Sequence, residues 1–102
     1  MKRIRSLLDE MANAISPVDH GAAVFLRACK SKTPQELANE LYLWGGSGSL
    51  LDRSNSLDVV GTRGAFEKSA AELAQALIDA GAQNPRLEFC AKVMSRAGRH
   101  DA

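Results

Sequence analysis

The chain has 102 residues, of which 45% are hydrophobic and 25% charged, with 13 Lys plus Arg against 12 Asp plus Glu. That length suits a single domain with a modest core, and the composition excludes a disordered chain. The formal net charge of +1 supplies no global field to draw the protein onto nucleic acid or an anionic membrane.

The first predicted helix covers residues 2–14. Ile4, Leu7, Leu8, Met11 and Ile15 recur at helical spacing and form one apolar stripe. The basic start Lys2-Arg3-Ile4-Arg5 meets Asp9 and Glu10 before any apolar run of signal-peptide length. No stretch approaches the roughly 20 apolar residues that span a bilayer. The expectation is a reduced, cytoplasmic protein with no membrane partner.

Later helix starts are announced by proline. All three prolines follow an N-capping residue type, in Ser16-Pro17, Thr33-Pro34 and Asn84-Pro85. Proline suits the first helical position, where its missing N–H costs nothing and its φ is already helical. Asp19 and Glu36 fall at the third helical position after the first two caps, a capping-box pattern. The second helix is therefore expected from Pro17, burying Val18, Ala22, Phe25, Leu26 and Cys29 and fraying into Lys30-Ser31-Lys32. The third opens at Pro34, turns Leu37, Leu41 and Trp44 inward, and stops at Gly45 in a left-handed turn. A long helix over residues 64–80 carries Phe66, Ala70, Leu73, Leu77 and Ile78, with Gly81 as its stop. The last begins after Asn84 and uses Leu87, Cys90, Val93 and Met94, with Phe89 at its flank. Gly98 is expected to end it, leaving residues 99–102 as a mobile tail. The fold class that follows is all-α, one domain over residues 1–102 with about five helices.

Between Trp44 and Gly64 lies a connection longer than the roughly 12–15 residues usual in compact domains. Its Leu50, Leu51, Leu57, Val59 and Val60 predict that it folds back on the helices, with a helical turn or short extended piece near residues 57–60. It opens with Gly45-Gly46-Ser47-Gly48-Ser49, against which several chemistries fail. A phosphate-binding P-loop needs a preceding strand and a Lys-Ser/Thr pair, and neither is present. A dinucleotide fingerprint needs glycine where Leu51 stands. A nucleophile elbow lacks its last glycine. A hydrolytic serine needs a base, and the histidines are His20, in a helical first turn facing solvent, and His100, in the tail. Asp52, Ser54, Ser56 and Asp58 alternate like early calcium ligands, but Leu57 and Arg63 occupy the positions that require glycine and glutamate. Cys29 and Cys90, read as small core hydrophobes, have no paired metal-ligand spacing with His20. No catalytic residue, metal or cofactor is expected.

Two readings of the loop remain. Its amides form an anion nest with Arg53 adding charge, or its glycines stop a helix and permit a turn while Ser47, Ser49 and Asp52 cap backbone amides. Tyr42 and Trp44, each the only one of its kind, stand beside it, either as contact residues of the sort favoured at binding hot spots or, for Trp44, as a buried anchor. The stretch Trp44-Gly45-Gly46-Ser47-Gly48-Ser49-Leu50-Leu51-Asp52 resembles the aromatic-Gly-Gly-x-Gly-Ser-Leu-x-Asp core of some short, uncharacterised bacterial proteins. The form best known has methionine where this chain has Ser47, and the likeness covers nine of 102 residues. The resemblance implies a bacterial interaction protein, similar in small size and cytoplasmic character to immunity or antitoxin partners.

The functional expectation is a non-catalytic protein-interaction module with Tyr42, Trp44, Gly46, Ser47, Gly48, Ser49, Asp52 and Arg53 as its contact residues. Its partner is another protein, and a second copy completing the small core is compatible with the composition. The alternative reading is a small nucleic-acid- or anion-binding protein. It uses the basic clusters Lys2, Arg3, Arg5 and Lys92, Arg96, Arg99, joined into one patch if the first and last helices pack side by side.

Overall fold

The computed structural model describes residues 2–45, 49–50 and 54–99, without the side chains of residues 54, 55 and 93–99. Six α-helices, α1 (Lys2–Ile15), α2 (His20–Ala28), α3 (Pro34–Ala38), α4 (Leu41–Trp44), α5 (Arg63–Asp79) and α6 (Pro85–Arg99), are joined by 3-10 turns at Cys29–Ser31 and Ser54–Val60. The described residues contain no strand. The fold is all-helical, and its radius of gyration of 12.3 Å is close to the ~13 Å of a compact domain of this length.

Helix α5 is the spine. Its stripe of Phe66, Ala70, Leu73, Ala74 and Leu77 is buried, and α1, α3, α6 and the 3-10 turn at Ser54–Val60 all pack on it. From α1 come Leu7, Leu8 and Met11, all fully buried, and from α6 Leu87 and Cys90. Helix α2 reaches the core through Ala22, Ala23 and Leu26 and packs mainly on α1. Because α1 and α6 pack chiefly on α5 and not on each other, the terminal basic clusters are carried by separate helices. Arg3 is drawn towards α5, where its guanidinium meets the Glu72 carboxylate at 2.6 Å.

The structure moves one helix start and adds one break. Ser16 does not cap α2; its N–H still donates to Ala12 of α1, and the N–H groups of Val18 and Asp19 both return to the Ile15 carbonyl. The residue expected as third in the helix, Asp19, is the cap itself and accepts from the Ala22 N–H at 3.0 Å. Val18 therefore lies outside the helix and is exposed, not buried. A proline two residues after an unfinished helix can extend its last turn as readily as begin a new one, and Asp19 is the stronger acceptor. At the C-terminal end α2 tightens into the Cys29–Ser31 turn.

The Thr33 start is as expected. Thr33 and Glu36 form a reciprocal capping box, and the backbone N–H of Thr33, then its side chain, hold the Glu36 carboxyl below its usual range. The helix stops after Ala38, however, and the chain restarts at Leu41 with the Glu40 side chain accepting from the Tyr42 N–H. This split turns Leu41 outward, contrary to the expected inward stripe, and leaves it 73% exposed. Gly45 ends α4 with φ −73° and not in the left-handed region. Glycine is required there by proximity, since a Cβ would lie 2.3 Å from the Leu41 carbonyl oxygen. Gly81, by contrast, stops α5 with φ +94° as expected.

Asn84 works at both ends of its amide. Its Oδ1 caps the Arg86 N–H at 3.0 Å and its Nδ2 donates to the Ala38 carbonyl at 2.7 Å, fastening the start of α6 to the end of α3. Gln35 adds to this by donating to the Gln83 carbonyl and accepting the Gln83 N–H. Gly98 does not end α6; the helix continues through Arg99, so that residue is not part of a tail. Residues 100–102 lie outside the described part, as do the side chains of Val93 and Met94. In the long connection Leu50 and Leu57 are buried, and the expected helical turn is the 3-10 segment Ser54–Val60.

The moved cap is directly testable. Asp19→Ala should lower stability by about 1 kcal/mol, the usual cost of a lost N-cap. Ser16→Ala should change it by less than about 0.5 kcal/mol, both read from urea denaturation monitored by circular dichroism.

Candidate functional site

The residues singled out in the sequence fall into two groups. Gly46, Ser47, Gly48, Asp52 and Arg53 lie outside the described residues, so neither the anion nest nor the amide-capping reading has described geometry behind it. Tyr42, Trp44 and Ser49 are described, and with Gly45 and Leu50 they frame the segment. Gly45 donates its N–H to Leu41 at 2.7 Å and Leu50 donates to Tyr42 at 2.8 Å. Both ends of the intervening glycine-serine stretch are thus tied to α4, and Ser49 and Leu50 are buried against it.

Trp44 takes the anchoring role. It is 4% exposed, and its indole Nε1 donates to the Leu37 carbonyl at 2.8 Å. The same carbonyl accepts the Glu40 N–H at 3.2 Å, so both its lone pairs are used and the break between α3 and α4 carries no orphaned acceptor there. Arg86 approaches the Trp44 carbonyl from α6 at 3.4 Å. Leu43 is fully buried beside it.

Tyr42 stands on the other side of α4. It is 38% exposed, and its ring meets Phe25 of α2 edge-on at a centroid distance of 4.8 Å, within the range of favourable aromatic pairs. That contact joins two exposed apolar segments. Leu41 precedes Tyr42, and Val24 precedes Phe25 with 53% of its surface exposed. On α2, Gly21 and Ala28 lie three residues before and four after Val24 and are exposed as well, which places them on one outward face. Sequence reasoning missed Val24 and Leu41 as surface residues. For Leu41 the available signal was Asn39, whose side chain competes with the backbone and favours helix ends over interiors.

A second polar group surrounds the start of α5. Thr62 does not cap that helix with its side chain; its hydroxyl donates to the Ala14 carbonyl at 2.8 Å and satisfies one of the free acceptors at the end of α1. Arg63 bridges Asp58 and the buried Glu67, at 3.1 and 2.9 Å, and the two acids raise its own pKa, Glu67 most. The group ties the 3-10 segment to α5.

Neither cysteine is in a disulfide, and both are buried. Burial, with a smaller contribution from Glu40, pushes the Cys29 thiol up to about 11. Burial, then Glu67, pushes Cys90 up to about 12. Both are protonated at neutral pH, which is the state of an inert core thiol and not of a nucleophile. Among the described residues no group of three His, Cys, Asp or Glu side chains is placed to hold a metal ion, and no helix is long and apolar enough to cross a membrane. Set against protein-family models, curated proteins and solved structures, the chain finds no match in any of the three.

Two outcomes are expected. Trp44→Phe should cost about 1–3 kcal/mol through the lost indole hydrogen bond and the space left behind, whereas Leu41→Ala should stay within about 0.5 kcal/mol, measured side by side in urea. The raised thiol pKa values favour the protonated cysteines in the folded state. Their stabilisation is complete below the unfolded value of 9.0 and is lost as pH rises towards about 11 for Cys29 and about 12 for Cys90. Unfolding free energies measured from pH 8 upward should decline above pH 9, and less steeply in Cys90→Ala.

Proposed function

We propose that this chain is a non-catalytic protein-interaction module, an immunity- or antitoxin-like or regulatory partner, that binds through α4 and the neighbouring face of α2. The observation that carries the reading is the outward pair Leu41 and Tyr42, joined through Phe25 to the exposed Val24. Large apolar and aromatic side chains kept at the surface on a well-anchored helix offer rigid contact area at little entropic cost. The anchoring is internal, by Trp44 and Leu43, so the outward side chains are not needed to hold α4 in place. Ser47, Asp52 and Arg53, outside the described residues, belong to this reading on the sequence alone. The inert state of the two thiols favours a binding role over covalent catalysis.

A photo-crosslinking residue at position 59, outside the surface, and one at position 41, within it, separate the reading from accidental capture. A specific partner should crosslink from position 41 and not from 59. With that partner purified, Leu41→Glu should weaken binding at least roughly tenfold while leaving the melting temperature nearly unchanged. Equal binding by Leu41→Glu and the parent chain would remove α4 from the interface.

A second reading assigns anion or nucleic-acid binding to the basic clusters. Lys2, Arg5 and Lys92 are exposed and have no ion-pair partner among the described residues. Arg3 is already engaged by Glu72, and the clusters sit on helices that pack chiefly on α5, which favours the first reading. Retention on heparin with a steep salt dependence would reverse that preference.

A further inference from the structure

We propose that the elbow between α5 and α6 is a docking cleft for a basic side chain of a partner polypeptide, an aliphatic stem ending in a guanidinium or ammonium group. A half-open hollow of about 590 Å³ lies there, lined by Ile78, Gly81, Ala82, Asn84, Pro85 and Glu88, with Gln83 at its edge. That volume falls within the ~300–1,000 Å³ typical of ligand clefts.

Its walls are set before any ligand arrives. Gly81 turns the chain with φ +94°, and the Gly81 and Ala82 N–H groups return to the Ile78 and Leu77 carbonyls at 2.9 and 3.0 Å. The backbone of Gln83 is held from both sides by the Gln35 amide, at 3.2 and 3.0 Å. The Asn84 side chain is spent at both ends, on Arg86 and on Ala38. A rigid hollow loses little entropy when it is filled.

The chemistry of the lining selects the occupant. Ile78, Ala82 and Pro85 supply apolar surface for a methylene stem. Glu88 is the one charged residue of the lining, it is exposed, and it has no ion-pair or hydrogen-bond partner among the described residues. Of the cations beside it on α6, Arg86 reaches away to the Trp44 carbonyl, and Lys92, one turn further on, makes no ion pair with it among the described residues. A single carboxylate is too few ligands for a hard metal ion, and its charge disfavours anions. A cation on an apolar stem satisfies both parts of the wall, with a charge-assisted hydrogen bond at its tip. This assignment stands apart from the surface on α4.

Butylguanidinium is the probe, with its neutral counterpart butylurea beside it, followed by amide chemical shifts of the full chain. Butylguanidinium should give saturable shifts at Gly81, Ala82, Gln83 and Glu88 with a Kd on the order of 1 mM, and butylurea should bind roughly tenfold more weakly. Glu88→Gln should abolish the difference between the two probes, while Glu10→Gln, which removes an exposed acid on α1, should leave both titrations unchanged. Absence of saturable shifts, equal binding of the two probes by the parent chain, or equal effects of the two substitutions would each overturn the proposal.

Discussion

The Leu37 carbonyl is the contact on which the break between α3 and α4 depends. It receives the Glu40 amide and the Trp44 indole together, and so stabilises a helix break that would otherwise leave polar backbone buried without partners. With the break in place, four consecutive apolar residues divide between two environments. Leu43 and Trp44 go inward, and Leu41 and Tyr42 go outward. A continuous helix from Pro34 would have sent Leu41 into the core and left no outward apolar pair.

The same region is braced from the far end of the chain. Gln35 grips the backbone of Gln83, and Asn84 joins the end of α3 to the start of α6. These are hydrogen bonds between residues almost fifty positions apart, and they fasten α3 to the α5–α6 elbow. The long aliphatic stripe of α5 is occupied with α1, α3 and α6, and the elbow is built on the C-terminal end of the same helix, at Leu77 and Ile78. Leu41 lies outside that packing, whereas Tyr42 also braces α4 against Phe25 of α2.

Buried thiols and ion pairs contribute differently. Cys29 and Cys90 fill core volume and stay protonated, while Arg63 links a buried acid, Glu67, to an exposed one, Asp58. The first are packing residues with latent alkaline sensitivity. The second is a tether that fixes the 3-10 segment against α5, and its value lies in geometry more than in energy, since exposed pairs are worth little.

Helix class, the stripes of α1 and α5, the Thr33 capping box, the Asn84 cap and the Gly81 stop were legible in the residues, because each is decided by a few neighbours along the chain. What the tertiary structure decided was which of several local options prevails. Ser16-Pro17 read as the helix start with Asp19 third in the helix, and the start moved to Asp19 because the Ile15 carbonyl captured the intervening amides. Gly98 lies within a helix despite being a plausible stop. Leu41 became surface because the helix breaks after Ala38 and restarts at Leu41, with the Trp44 indole bonded back to the Leu37 carbonyl across the break. The cleft beside Glu88 arises only when Gln35 and Asn84 fix a turn distant in sequence, and long-range pairing of that kind is a property of the packed molecule and not of any segment of it.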